Sequence, residues 1–328
     1  MTNGYSLGDD ALARRLDDRL AAVEVMLRAS VKSDYPFVTE TSRHLVDAGG
    51  KRFRPMLVLL AAEFGDAASR QVLQAAVVVE LTHLATLYHD DVMDEAQRRR
   101  GTDSANARWD NTVAILTGDF LFSKASDILS DLGPDAVRIQ ARTFERLVIG
   151  QIKETVGPNG DGDPVRHHLS VLEDKTGSLI ATSGRFGAMF AGCDESVVET
   201  LTLFGERIGV AFQLADDLVD LTSEDGQSGK TQGTDLREGI QTLPALLALA
   251  AAGSDDVRLR ELLGRPLPDD DEHAEALALL LEHDAVGQAR AEARRWADAA
   301  RATLGALPEI AARDALERLC DYVVTRTA

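Results

Sequence analysis

The chain of 328 residues reads as an all-α fold, and three observations predict it. Apolar residues recur at helical spacing along most of its length. No stretch alternates apolar and polar residues as a half-buried strand would. Aromatics make up only 5% of the chain while Ala and Leu dominate, a composition that suits packed helices better than sheets.

Taken in order, the first helix covers residues 9–29. Pro55 lies near the start of a second helical run ending at Phe64. Residues 72–94 form a long helix with no Gly or Pro inside, and 111–132, 136–156, 169–191 and 195–221 read similarly. Pro244 opens a further helix after a loop, as Pro does at a first helical turn. Two last helices cover 272–304 and 309–327. Between them lie a turn-rich loop at 157–164, a Gly- and Ser-rich segment at 223–239 with the composition of a lid, and a Pro- and Asp-rich connection at 264–271. No domain boundary, low-complexity segment or wider internal repeat interrupts this pattern.

Charge and cysteine usage exclude several classes. With 54 acids against 35 bases the net charge is −19, and nothing resembles a basic stripe, so nucleic acid is not an expected partner. Cys193 and Cys320 fit neither a disulfide framework nor a metal-ligand spacing, which points to a reducing, cytoplasmic setting. The first ten residues are polar and acidic, unlike a signal peptide, and the longest apolar stretch, 244–253, is too short to span a bilayer. Peripheral membrane contact stays open.

The chemistry concentrates at two helix ends. Asp90, Asp91 and Asp94 close one long apolar run, and Asp216, Asp217 and Asp220 close another. Carboxylates four residues apart repel, and a helix C-terminus already carries partial negative charge, so this placement is costly without a compensating cation. Oxygen-only ligands with room for water suggest Mg2+ bound together with substrate phosphates. At about 100° per residue, Asp90 and Asp94 share a face, with His83 two turns earlier and Thr86 nearby. Gln213, Phe212 and Gly209 lie on or beside the face of Asp216 and Asp220. An acidic helix end with a core histidine accounts for either cluster alone, but less readily for two.

Cations lie close in sequence to these acids. Gly49-Gly50-Lys51-Arg52-Phe53-Arg54 places three of them on a Gly-started turn before a helix, a suitable cradle for a diphosphate. Arg98, Arg99 and Arg100 follow the first acid cluster, Lys175-Thr176-Gly177 interrupts a helical region, and Lys230 sits in the Gly/Ser segment. Each alone reads first as ordinary surface charge; together they supply enough positive charge for two diphosphates.

These blocks, in this order, resemble the trans-isoprenyl diphosphate synthases, or polyprenyl synthetases, over essentially the whole chain: Gly-Gly-Lys-Arg-Phe-Arg-Pro, His83 ahead of His-Asp-Asp-Val-Met-Asp, Arg-Arg-Gly, Lys-Thr-Gly, Phe-Gln-Leu-Ala-Asp-Asp-Leu-Val-Asp and Gly-Lys-Thr-Gln-Gly-Thr-Asp. The resemblance implies a single polyprenyl synthetase domain over 1–328, with about ten or more helices around a central cavity, commonly homodimeric. It implies that Asp90, Asp94 and Asp216 ligate Mg2+ bridging to an allylic diphosphate, with Asp91, Asp217 and Asp220 supporting them. Arg99, Lys175, Thr176, Gln213 and Lys230 would hold the allylic diphosphate; Lys51, Arg54, His83 and Arg100 would hold isopentenyl diphosphate. The implied reaction is ionisation, condensation and proton elimination, with the departing diphosphate as proton acceptor. One block departs: family members often read Gly-Glu-x-x-Gln where this chain has Gly150-Gln151-Ile152-Lys153-Glu154.

Product length in this family depends on bulk upstream of the first acid cluster. Ala75, Val78, Thr82 and Ala85 form one strip of small or modest side chains, with Thr86 adjoining, and Tyr88 lies outside the limiting window. The strip reads either as an open tunnel, giving a product longer than farnesyl and suited to quinone side chains, or as a close helix contact. A geranylgeranyl diphosphate synthase is the alternative within the family. A class I terpene cyclase would normally replace the second acid cluster with an Asn/Ser/Glu pattern, and a non-catalytic subunit would have degenerate clusters; both clusters are complete here. A long apolar product would need a membrane or detergent to leave.

Overall fold

The structure, a computed structural model, describes residues 7–158, 160, 162–222, 232–251 and 257–326. Its chain forms two compact units, each assembled from separate stretches: Met1–Glu145, Leu179–Gly205 and Leu304–Arg318 in the first, and Arg146–Ser178, Glu206–Thr303 and Leu319–Ala328 in the second.

The first unit is built on α4 (Arg70–Met93), whose residues from Ala75 to Thr82 are all buried. A helix that is apolar all round belongs in the middle of a bundle, and α4 packs against α1 (Asp10–Ser30), α3 (Phe53–Ala62) and α6 (Asn111–Leu132). Side-chain caps fix the starts of the outer helices: Asp9 Oδ1 accepts from Leu12 N at 2.7 Å, and Asp110 Oδ1 from Val113 N at 2.8 Å. Between α1 and α3 runs α2 (Pro36–Asp47), which Tyr88 ties to α4 by donating to Thr41 O at 2.6 Å and accepting from Leu45 N at 3.2 Å. After α4 the chain makes a two-residue antiparallel ladder, β1 (Arg98–Arg99) with β2 (Thr102–Asp103), then α5 (Ala105–Arg108). Arg100 and Gly101, at φ 53° and 80°, form the tight turn. The start of α7 (Pro134–Val156), most of α9 (Ser178–Phe190), the start of α10 (Glu195–Thr222) and the segment Leu304–Arg318 complete this unit. Gly187 of α9 lies so close to Val58 O of α3 that a Cβ there would overlap it.

The second unit takes the remainder of α7 and α10 together with α8 (Pro164–Leu172), α11 (Thr234–Glu238), α12 (Leu243–Ala251), α13 (Val257–Leu263), α14 (Asp270–Glu282) and α15 (Asp284–Thr303). Leu214, Leu218, Leu243, Leu262 and Leu280 share its core. Ala285, Ala289, Ala293, Ala297 and Ala300 give α15 a smooth buried stripe, against which α12 packs. A turn of 3₁₀ helix, Leu304–Ala306, precedes α16 (Ala311–Thr325), which begins in the first unit and ends, from Leu319, in the second.

Three departures from the sequence reading have local causes. The helix expected over 272–304 breaks at His283, which is extended and whose Nδ1 accepts from Ala285 N at 3.0 Å, capping α15. The helix expected over 169–191 begins earlier, at Pro164 behind the capping Asp163, and passes through a π turn at Glu173–Gly177. The ladder at residues 98–103 is too short for strand alternation to register. Among the described residues, no helix is long and apolar enough to cross a membrane.

Candidate active site

Within the first unit, the acid-rich end of α4 divides its three carboxylates by depth. Asp94 caps the helix, its N–H donating to Asp90 O at 2.8 Å, and its side chain is exposed. Asp90 is half-buried, whereas Asp91 is 0% exposed and turns toward the hairpin, where its Oδ1 accepts from Arg99 Nε at 2.6 Å. Burial pushes the Asp91 carboxyl above its ordinary pKa, and Arg99 works against that shift. Asp91 Oδ2 has no hydrogen-bond partner.

A compact cluster of cations is fixed beside this helix in the same unit. Glu80, buried in the middle of the apolar face of α4, accepts from Arg52 Nη1 at 2.9 Å and lies 3.8 Å from Arg100 Nη2. Arg52 also pairs with Glu24 and donates to Val46 O and Gly49 O, each at 2.9 Å. Its backbone is left-handed at φ 47°, which turns the side chain inward while its neighbour Lys51 stays exposed. Arg100 donates to Leu45 O at 3.0 Å and to Gly49 O, and a Cβ at Gly50 would meet its guanidinium at 2.8 Å. Arg52 is therefore a structural clamp, unlike the surface cation its sequence neighbours suggest. Arg54 has an Nε without a hydrogen-bond partner, and burial draws its pKa down to about 10, with Arg100 adding to the shift.

His83 faces this cluster. Burial, then Arg54, Arg100, Arg99 and Arg52, hold its imidazole well below the ordinary pKa, so it is neutral at pH 7. The unfolded imidazole takes its proton near pH 6.5 and the folded one only below that, so stability present above about pH 6.5 is lost on acidification. Urea unfolding at pH 7.5 and 5.5 is expected to show His83→Gln losing about 1 kcal/mol less than the parent chain across that interval. Equal losses would place the acid sensitivity elsewhere.

The strip on α4 is fully enclosed: Ala75, Val78, Thr82 and Ala85 are buried. Thr82 Oγ1 donates to Val78 O at 2.9 Å and accepts from Gln140 Nε2 at 2.7 Å. Thr86 is half-buried and donates to His83 O at 2.8 Å.

Within the second unit, the end of α10 repeats the division by depth. Asp217 is buried, and its Oδ1 accepts from Gln213 Nε2 at 3.1 Å, while Thr176 Oγ1 lies 3.5 Å from Gln213 Oε1. His168 Nε2 stands 3.7 Å from Asp217 Oδ2, an oxygen with no hydrogen-bond partner. Asp220 Oδ2 accepts from Asp235 N at 3.1 Å, anchoring α11. Asp216 pairs with Arg326, a contact the sequence reading did not anticipate.

The π turn presents Lys175 and Thr176 from a rigid base. Gly150 permits close approach, since a Cβ there would lie 2.6 Å from Lys175 N. Asp174 Oδ1 accepts from Arg146 Nε at 3.0 Å and its Oδ2 from Lys153 Nζ at 2.7 Å. Burial works to raise the Asp174 pKa, but those two cations outweigh it and hold the carboxyl below its ordinary value. Lys175 pairs with Glu154, so the acid in the departing Gly150–Glu154 block has a partner, whereas Gln151 Oε1 has no hydrogen-bond partner. Lys230 and most of the expected lid, 223–231, lie outside the described residues.

Of the residues that the sequence motifs mark, the first unit gathers Arg54, His83, Arg99 and Arg100 around α4, and the second gathers Lys175, Thr176, Gln213 and Asp217 around the end of α10. Glu80, Arg146, Asp174 and Arg326 belong to none of those motifs. Glu80 had a signal, as the one acid inside an apolar helical run. Like charges at neighbouring positions repel, and among the described residues no three His, Cys, Asp or Glu side chains converge on one point.

The family model described as Polyprenyl synthetase matches residues 35–280. The nonaprenyl diphosphate synthase of Mycobacterium tuberculosis is 47% identical over 326 residues, 98% of this chain and 97% of that protein. Component 2 of the heptaprenyl diphosphate synthase of Geobacillus stearothermophilus is 38% identical, over 95% and 97% of the two chains. Among solved structures, a geranylgeranyl pyrophosphate synthase from Corynebacterium glutamicum, complexed with calcium and isoprenyl diphosphate, superposes with a TM-score of 0.88 at 46% identity, covering 98% of each chain. A polyprenyl synthase from Caulobacter crescentus, with the same ligands, gives a TM-score of 0.90 at 33% identity over 99% of each chain. The all-helical architecture is that of isoprenyl diphosphate synthases. The chain belongs to the polyprenyl synthetase family of trans-prenyltransferases.

Proposed function

We propose that this prenyltransferase condenses isopentenyl diphosphate repeatedly with an allylic diphosphate to give a long all-trans polyprenyl diphosphate, with residues 1–328 acting as one polyprenyl synthetase domain. The observation that carries the reading lies within the first unit: a cluster of arginines around Glu80, with neutral His83, beside an acid-rich helix end. Lys51, Arg54, His83 and Arg100 bind the isopentenyl diphosphate; Arg99, Lys175, Thr176, Gln213 and Lys230 bind the allylic one. Arg54, with its unpartnered Nε, and Arg100 supply charge already fixed in place, so they need little reorganisation when the anion arrives.

The donor set suits a hard divalent cation such as Mg2+: six carboxylates, two of which, Asp91 and Asp217, carry a buried oxygen without a hydrogen-bond partner. Asp90, Asp94 and Asp216 would hold it, supported by Asp91, Asp217 and Asp220. When bound, the cation supplies Lewis-acid stabilisation of a departing diphosphate. Arg99 and Lys175 neutralise the same developing charge, and apolar walls keep water from the allylic carbocation. Arg54 and His83 position the homoallylic double bond against that carbon, and the released diphosphate takes the proton.

The enclosed residues Val78, Thr82 and Ala85, with half-buried Thr86 beside them, set product length in this reading. Ala85→Phe is expected to shorten the product by several isoprene units, as read by mass spectrometry; an unchanged distribution would make the strip a packing contact only. The long-chain names of relatives such as the nonaprenyl synthase support a long product, whereas the name of the Corynebacterium structure favours the second reading, a twenty-carbon product. Exposed Ile115 and Leu116 on α6, and Val148, Ile149, Ile152 and Val156 on α7, support a homodimer, which light scattering checks. Product release at a membrane surface would show as stimulation of turnover by detergent or lipid.

The deciding experiment incubates the purified chain with Mg2+, isopentenyl diphosphate and, separately, dimethylallyl, geranyl, farnesyl and geranylgeranyl diphosphates. Products well beyond twenty carbons support the long-chain reading. Products stopping at twenty or below keep the chemistry and reject the length. Absence of condensation with every primer would make the chain a partner-dependent subunit.

A further inference from the structure

The last described residue of the chain, Arg326, touches the second acid cluster, and no motif marks it. Its Nη2 pairs with Asp216 Oδ1 across 110 positions of sequence, inside the second unit. The guanidinium lies over the ring of Phe212, 4.9 Å from its centroid, and 5.6 Å from that of Tyr322. Its backbone N–H donates to Tyr322 O at 3.1 Å. The side chain is only 14% exposed, against 39% for Asp216, and its Nη1 is buried with no hydrogen-bond partner.

This is an unusual way to hold a surface-reaching arginine. Two aromatic faces fix the plane of the guanidinium. One of its amino groups is engaged by a carboxylate, and the other is withheld from water without an acceptor. A planar fork with one arm unsatisfied matches a second anion with closely spaced oxygens, as a diphosphate has. The carboxylate it holds is one that the reading above assigns to a divalent cation. A cation and a guanidinium compete for the same Oδ1.

We propose that Arg326 is an exchange partner of Asp216: it neutralises the carboxylate until a divalent cation takes it, then turns its guanidinium to the diphosphate that the cation brings. Phe212 and Tyr322 act as the pivot, keeping the guanidinium at the site in both positions. The proposal rests on the reading of Asp216 as a metal ligand.

The test measures binding without turnover. Mn2+ alone is titrated by electron paramagnetic resonance, and inorganic pyrophosphate in the presence of saturating Mn2+ by calorimetry, for the parent chain, Arg326→Met, Arg326→Lys and Asp216→Asn. Arg326→Met is expected to bind Mn2+ about two- to fivefold more tightly, the range of a partly exposed ion pair removed from competition. It is expected to bind pyrophosphate about tenfold more weakly, for the loss of a charge-assisted bond. Arg326→Lys, which keeps charge without the planar fork, falls between on both. These opposed signs support exchange. Weakening of both ligands would make Arg326 a structural prop of α16 and overturn the proposal. Tighter Mn2+ with unchanged pyrophosphate would reduce it to through-space repulsion, and no change in either would make the pair incidental. Asp216→Asn separates the two levels: Mn2+ binding that ignores this substitution refutes the metal-ligand reading itself, whereas weakened binding there with no effect of Arg326→Met refutes the exchange alone.

Discussion

Asp90→Ala is expected to lower kcat/KM by about 10³-fold while leaving the melting temperature unchanged or slightly higher. Loss of one preorganised group at a site of developing charge typically removes 10²–10³ in rate, and a metal ligand lies at or above the upper end of that range. Stability moves the other way because Asp90 stands in the last turn of α4, beside Asp91 and four residues from Asp94. Removing it relieves like-charge repulsion and an unfavourable interaction with the helix dipole, each worth a few tenths of a kcal/mol. Incorporation of labelled isopentenyl diphosphate, with a thermal melt on the same preparation, tests both parts. Turnover within tenfold of the parent would remove Asp90 from the metal site, and a large fall in melting temperature would mean that the activity loss reports unfolding.

Arg52→Met is expected to destabilise the first unit by about 3 kcal/mol. Glu80, with a side chain only 2% exposed, would lose its 2.9 Å partner. Breaking a buried pair from one side leaves an uncompensated charge and typically costs 3–5 kcal/mol. Arg100, 3.8 Å from the same carboxylate, keeps the expected loss at the lower end. The carbonyls of Val46 and Gly49 would each lose a donor as well. Urea denaturation measures the change. The double variant Arg52→Met with Glu80→Leu is expected to recover most of the stability, because an apolar pair of similar volume replaces an ion pair at little net cost. A double variant no more stable than Arg52→Met would show that the carbonyl bonds, rather than Glu80, dominate.

The long helices were legible because their cause is local. The run 111–132 was read with the bounds the structure gives it, since Asp110 caps its start and Gly133 ends it. The break at His283 was not legible, because a histidine that caps the next helix looks in sequence like any polar helical residue. The acid clusters and the loop cations were legible as motifs, but the direction of each side chain was not. Arg52 reads like Lys51 and Arg54, yet a left-handed backbone turns it into the core. Arg146, Asp174 and Glu206 form a network that only the packing of α7, the π turn and α10 creates. Arg326 and Asp216 meet across 110 residues, a separation over which local pattern carries no information.

The clamp around Glu80 ties the proposed substrate-binding loop and the core of the first unit to the same few atoms. Arg52 holds Glu24 of α1, the loop that carries Lys51, and Glu80 of α4 at once. A lesion there would therefore register in a living cell chiefly as scarcity of the protein, because a loss of a few kcal/mol raises the unfolded fraction that proteases clear. Sequence drift at position 52 would be viable only when position 80 changed with it, so the two sites would be inherited as a unit.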